Sequence, residues 1–143
     1  MLFFTYGGMM NPEQLGKFAP KANFQFIAHL PETKLIFPNP DGRPSIEPAP
    51  GNTVWGAVFE VSSAELKAIS AHEESRGRSL QKDVKAVDRS GNKYPVAVFS
   101  APANTEHHPP SKEYMEKVVS GARHWQLPTG WVAGLEDLAE PDL

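Results

Sequence analysis

The chain has 143 residues, 40% of them hydrophobic and 22% charged, which is the size and composition of one globular domain with its own core, here residues 1–143. Its net charge of −3 gives no electrostatic basis for binding a phosphate backbone, so we expect no nucleic-acid partner. Cysteine is absent and no apolar stretch approaches the roughly 20 residues that span a bilayer, which excludes disulfides and cysteine zinc sites and predicts a cytoplasmic protein without membrane contact.

The N-terminal residues predict a buried strand, a glycine turn and a short helix. Residues 2–6 are apolar and aromatic and end at the pair Gly7-Gly8, which indicates a strand followed by a tight turn. Asn11 is a residue type that caps helices, and Pro12 suits the first helical position. We therefore expect a short helix directly after the turn.

The next segments predict extended pieces separated by a loop. Residues 24–30 alternate between two faces, and residues 34–37 form a second short extended piece. Residues 38–51 are rich in proline and glycine, which is typical of a surface loop, with a mobile lid over a ligand as the alternative. Residues 54–61 have the strongest strand pattern in the chain.

A capped helix and a hairpin follow this strand. Ser62 and Glu65 have the spacing of a capping box, which predicts a helix running to about His72. The segments 83–87 and 94–99 are β-like and flank turn residues, which predicts a hairpin.

The C-terminal part predicts two helices. Ser111 can cap a helix that runs through Trp125, and Pro128 can begin a last short helix. The mixture of elements predicts the α+β class, with the strands in one sheet or barrel and the helices outside it.

The Gly7-Gly8 turn is the first candidate binding site. Glycines tolerate a positive φ and allow a ligand to approach the backbone closely, and successive N–H groups in such a turn bind a carboxylate or an oxyanion. The alternative is a plain tight turn. The longer glycine patterns of nucleotide-binding loops are absent.

Glu73 is the best candidate for acid–base chemistry. It stands where the capped helix ends, and a carboxylate there opposes the helix dipole, so helix stability does not explain it. The like charge of Glu74 is expected to raise its pKa, which suits a general acid or base. The alternative is a pair of solvated glutamates neutralised by Arg76 and Arg78.

Other residue types give weaker signals. His107 and His108 are adjacent and lack a His-x-x-x-His pattern, so no metal site is expected. No serine stands in a Gly-x-Ser-x-Gly turn. Tyr114 follows a predicted helix start, and it either packs in the core or turns its hydroxyl towards a ligand.

Taken in order, these segments resemble the gamma-glutamylcyclotransferase-like family. The resemblance covers residues 3–138 and rests on four matches: Phe4-Thr5-Tyr6-Gly7, Val54-Trp55-Gly56, the helix leading to Glu73, and Pro109-Pro110-Ser111 with Tyr114. It implies a small mixed β-barrel or bent sheet flanked by helices. It also implies an enzyme that cyclises a gamma-glutamyl group to 5-oxoproline and releases an amine or amino acid, without a cofactor or metal.

The resemblance also implies which residues form the site. By position, Glu73 matches the family's catalytic glutamate. The end of the first strand, the turn and one later tyrosine match the substrate-binding residues: Phe4, Thr5, Tyr6, Gly7, Gly8, Met9 and Tyr114. The implied partner is a small gamma-glutamyl-type molecule.

Three departures from the family pattern leave alternatives open. Gly8-Met9 stand where the family turn usually has Ser-Asn, Glu74 where a glycine is common, and Leu80 where an aromatic residue is frequent. The first alternative is a module that binds a small ligand without turnover. The second is an interaction module whose contact surface is the 38–51 segment. The leaving amine and the oligomeric state stay open.

Overall fold

Five strands close into a barrel in the computed structural model, which describes residues 1–102, 104 and 106–140. The strands are β1 (Leu2–Thr5), β2 (Asn23–Ile36), β3 (Ser45–Glu60), β4 (Ser79–Asp88) and β5 (Lys93–Ser100), in the order β1-β3-β2-β4-β5. β1 is antiparallel to β3 and parallel to β5, while the other neighbours are antiparallel. The predicted α+β class with a small mixed barrel is confirmed.

The β2–β3 hairpin corrects the expectation for residues 24–51. The two predicted extended pieces are one strand, and β3 begins at Ser45, so the loop prediction is wrong for residues 45–51. Proline is tolerated in a sheet at edges and bulges, because it cannot donate to the ladder. Pro48 faces Thr33 directly after a register shift between Pro31 and Thr33. The proline therefore falls where the ladder is already interrupted, and only residues 37–44 connect the two strands.

Among the described residues, four α-helices flank the barrel: α1 (Pro12–Gly16), α2 (Ser63–Glu74), α3 (Lys112–His124) and α4 (Thr129–Ala139). Asn11, Ser62 and Ser111 each cap a helix through the side chain, and Ser62 with Glu65 forms the predicted capping box. α2 extends two residues beyond the predicted end at His72. In the part of the chain that the structure describes, no helix has the length and apolar character needed to cross a membrane.

α3 packs closely against the turn that follows β1. The turn continues as a short 3-10 helix, Gly8–Met10. Added to Gly121 of α3, a methyl group would lie 2.5 Å from the backbone of Met10, and the indole N–H of Trp125 donates to the carbonyl of Met10 at 2.7 Å. Met115 and Val118 are fully buried in the same core. This packing fixes the C-terminal half of α3 against Met10, at the end of the turn.

Candidate active site

A small cavity opens where β1 ends, between the C-terminal end of α2 and the N-terminal end of α3. It encloses about 300 Å3 including the space at its mouth. Its lining combines a carboxylate, a guanidinium, a phenol and the glycine turn: Phe3, Phe4, Thr5, Tyr6, Gly7, Gly8, Met9, Glu73, Arg78, Phe99 and Tyr114. The structure thus brings all eight residues predicted for the site around one hollow.

Glu73 lies in the last turn of α2 and is largely enclosed. Its side chain is 14% exposed, and this burial raises the pKa of Glu73, while Arg78, Arg43 and Arg76 act in the opposite direction. The expected cause was wrong, because the exposed Glu74 is not among the charges that perturb the pKa of Glu73. Desolvation, not a like charge, disfavours the ionised form.

Arg78 lines the cavity, although the sequence suggested only that it neutralises Glu73 and Glu74. Its side chain is 8% exposed, and its guanidinium has three partners. Nε lies 3.5 Å from the Glu73 carboxylate, Nη1 donates to the Tyr6 hydroxyl at 3.4 Å, and Nη2 donates to the Pro44 carbonyl at 2.7 Å. No sequence pattern distinguishes this buried arginine from the exposed Arg76, since both follow the helix directly.

The two turn glycines are required for space and not for a positive φ. Gly7 has φ −122°, and neither Gly7 nor Gly8 lies in the left-handed region, so that part of the expectation was wrong. A methyl group on Gly7 would lie 3.0 Å from the Tyr114 hydroxyl, and one on Gly8 would lie 2.9 Å from the Tyr114 ring and hydroxyl. The group that approaches the glycine backbone closely is therefore Tyr114, whereas the sequence predicted a ligand in this role.

Tyr114 closes one side of the cavity. Ser111 caps α3 by accepting from the backbone N–H of Tyr114, which places the phenol over the turn. The N–H of Gly8 donates to the Tyr114 hydroxyl at 2.8 Å. Burial raises the pKa of Tyr114, so the phenol is neutral at physiological pH and keeps its own proton for a second hydrogen bond.

The remaining predicted residues divide into backbone and side-chain contributors. Phe4 and Met9 are buried in the two halves of the core, so their backbone is what a ligand can contact. The Thr5 hydroxyl accepts a long bond of 3.5 Å from the N–H of Gly7. The Tyr6 hydroxyl donates to the Phe99 carbonyl at 2.7 Å, and burial raises the pKa of Tyr6 to about 12. Tyr6 therefore fixes the cavity wall as a neutral phenol.

Comparison with known families places the chain in a class. The model of the AIG2-like family matches residues 53–135, more than half of the chain. The chain belongs to the AIG2-like family. The matched span includes the end of β3, α2 with Glu73, the β4–β5 hairpin and α3 with Tyr114.

Individual relatives agree with this class. The chain is 27% identical to the gamma-glutamylcyclotransferase of Bos taurus, over 99% of this chain and 80% of the relative, and the Homo sapiens protein of the same name gives the same values. A solved structure of a gamma-glutamyl cyclotransferase superposes with a TM-score of 0.89 at 26% identity, covering 99% of this chain and 89% of that one. The predicted gamma-glutamylcyclotransferase-like resemblance is confirmed in sequence and in fold.

Proposed function

We propose that this protein is a cyclotransferase that converts a gamma-glutamyl amine or amino acid into 5-oxoproline and the free amine, with Glu73 as the acid–base catalyst. The observation that carries the proposal is that the Glu73 carboxylate and the turn after β1 line the same small cavity. The similarity to relatives named gamma-glutamylcyclotransferase supports the reaction class.

The cavity suits a substrate that reacts with itself. In a gamma-glutamyl compound the α-amino nitrogen attacks the side-chain carbonyl carbon; a ring C–N bond forms and the bond to the leaving nitrogen breaks. A small enclosed site holds the chain curled, so that the two reacting atoms meet without a second molecule. Such positioning supplies on the order of 7–11 kcal/mol in well-oriented intramolecular reactions.

Glu73 accepts and donates the protons that this reaction transfers. An α-amino group has a pKa of about 8, so its nitrogen must lose a proton before it can attack. The attacking nitrogen carries three protons as an ammonium and keeps one in the lactam, so the Glu73 carboxylate relays two protons in turn to the leaving nitrogen, which departs as an ammonium, and no net proton is consumed. Because burial raises its pKa, the carboxyl group is better matched to both steps than a solvated glutamate, and such catalysis contributes about 10²–10⁴-fold.

The turn supplies donors for the charge that develops on the carbonyl oxygen. We assign three donors to the substrate: the N–H of Met9, the hydroxyl proton of Tyr114, and the N–H of Gly7, which would exchange its long 3.5 Å bond to the Thr5 hydroxyl for the substrate oxygen. The N–H of Gly8 acts through Tyr114, because it already donates to that hydroxyl. Removing one oxyanion donor typically costs about 3 kcal/mol of barrier.

Product analysis tests the proposal directly. The protein is incubated with gamma-glutamyl dipeptides and gamma-glutamyl amines, and 5-oxoproline is quantified by mass spectrometry. We expect turnover by the native chain, a loss of at least 100-fold in Glu73→Gln, and little change in the exposed control Glu74→Gln. Turnover that survives Glu73→Gln removes this residue from catalysis. Binding without any product favours the alternative of a ligand-binding module.

A further inference from the structure

The surroundings of Glu73 are cationic. The charges that lower the pKa of Glu73 are all arginines, namely Arg78, Arg43 and Arg76. Arg78 is buried and hydrogen-bonded inside the site. Arg43 is half-buried and Arg76 is exposed, and neither has a carboxylate within ion-pair distance among the described residues.

Arg43 does not itself line the cavity, but it is held in a defined position against Tyr114, which does. Its guanidinium carbon lies 4.7 Å from the centroid of the Tyr114 ring, a cation–π distance. The preceding Gly42 accepts from the N–H of Ser111 at 2.8 Å, and the following Pro44 accepts from Arg78 at 2.7 Å. Both backbone neighbours of Arg43 are therefore anchored, one to the start of α3 and one to the site itself.

The orientation that we expect for the substrate places its leaving group near Arg43. On the proposed function, the glutamyl part must be enclosed to curl, because the reacting carbonyl needs both Glu73 and the turn. The group attached to the leaving nitrogen then points to the open side. Tyr114 lines the cavity, and the Arg43 guanidinium lies over its ring, so Arg43 is the next cation that a leaving group passing Tyr114 would meet.

We propose that Arg43 is a specificity-determining residue that binds a carboxylate on the leaving group, so that the site prefers substrates that release an amino acid over those that release a neutral or cationic amine. This inference rests on the proposed function. A guanidinium matches a carboxylate with two parallel hydrogen bonds. The same cations repel a leaving group that carries a positive charge, which gives discrimination in both directions.

A matched pair of ligands isolates this carboxylate. Gamma-glutamylalanine and gamma-glutamylethylamide share the glutamyl part and differ by the carboxylate of the alanine. Their dissociation constants are measured by calorimetry in the Glu73→Gln background, where turnover does not interfere. Arg43→Met is compared with Arg43→Lys, which keeps the charge, and with Arg89→Met, which removes an exposed arginine that neither lies over Tyr114 nor perturbs the pKa of Glu73.

We expect Arg43→Met to raise the dissociation constant of gamma-glutamylalanine about tenfold, as for the loss of a partly exposed charge-assisted bond. The dissociation constant of gamma-glutamylethylamide should change less than about twofold. For gamma-glutamylalanine, the dissociation constant of Arg43→Lys should lie between those of the Glu73→Gln parent and Arg43→Met, and that of Arg89→Met should equal the parent's. An equal loss for both ligands means that Arg43 contacts the glutamyl part, and this overturns the inference, as does no loss or no binding of either ligand.

The same variants separate this inference from the reaction. With Glu73 intact, the kcat/KM ratio of the two ligands should fall about tenfold in Arg43→Met. If the native chain forms no 5-oxoproline but the ligand-selective loss of binding persists, the proposed function fails and the carboxylate site stands. If 5-oxoproline forms and the ratio is unchanged, the proposed function stands and the role of Arg43 is refuted.

Discussion

Gly8→Ala tests why the turn after β1 contains glycine. A methyl group at this position would lie 2.9 Å from Cε2 and from the hydroxyl oxygen of Tyr114 and 3.0 Å from Cζ, closer than real carbon contacts allow. The ring has little freedom to retreat, because Ser111 caps the same helical turn and the adjacent Met115 is fully buried. We expect the phenol to be displaced and its bond from the N–H of Gly8 to be lost.

The cost is the sum of two effects. Overpacking a well-packed site costs about 1–3 kcal/mol, and losing the hydrogen bond between Gly8 and Tyr114 costs about 1 kcal/mol. Gly8→Ala should therefore lower the free energy of unfolding by roughly 2–4 kcal/mol. Backbone strain adds nothing, because Gly8 is not in the left-handed region.

Urea unfolding followed by circular dichroism measures this cost in two backgrounds. In Tyr114→Ala the obstructing ring is gone, so Gly8→Ala should cost less than about 1 kcal/mol there, and the difference is the coupling energy of the pair. Gly16→Ala is the matched control, since a methyl group at Gly16 meets no atom within 4 Å; it should be neutral or stabilising in this helix. An equal cost of Gly8→Ala in both backgrounds would refute the steric explanation.

Two further outcomes follow from the charges around Glu73. Arg78 is the charge that most lowers the pKa of Glu73, so Arg78→Met should shift the acid limb of the kcat/KM profile to higher pH, while Glu74→Gln leaves it in place; a shift to lower pH contradicts this. Burial raises the pKa of Glu73 above its ordinary value of 4.5, so the ionised carboxylate destabilises the folded state above its folded pKa and does not do so below the unfolded value. Glu73→Gln should therefore have a higher Tm than the native chain near pH 7 and an equal Tm below about pH 4. A difference that grows towards acid contradicts the direction of the shift.

Local patterns predicted the elements because their causes are local. Asn11, Ser62 and Ser111 satisfy free N–H groups within their own helical turn, so the helix starts are readable from a few residues. The extent of β3 was not readable in this way. Whether Pro48 enters a strand depends on the register shift in its partner β2, and that shift is set by the pairing of residues far apart in sequence.

The same distinction between local and long-range causes applies to the candidate site. Glu73 and the glycine turn were proposed from the sequence because a carboxylate at a helix end and a double glycine after a strand are unusual locally and because both match the family pattern. The burial of Arg78 was not found, since it depends on three partners contributed by separate elements. The cause of the raised Glu73 pKa was missed for the same reason. The burial of Glu73 depends on the folded chain, whereas the sequence shows only that Glu74 is its neighbour.

Arg78 links the catalytic candidate to the segment between β2 and β3. Its guanidinium contacts Glu73 at the end of α2, Tyr6 just after β1, and the Pro44 carbonyl just before β3. The segment therefore orients the cation that most lowers the pKa of the base, and it also carries Arg43, which covers Tyr114. Because this short segment contacts both Arg78, the ion-pair partner of the base, and Tyr114, which lines the cavity, substitutions in residues 38–44 should change the pH profile and the choice of leaving group together. Substitutions at barrel residues that do not line the cavity lack this double contact and should change only stability.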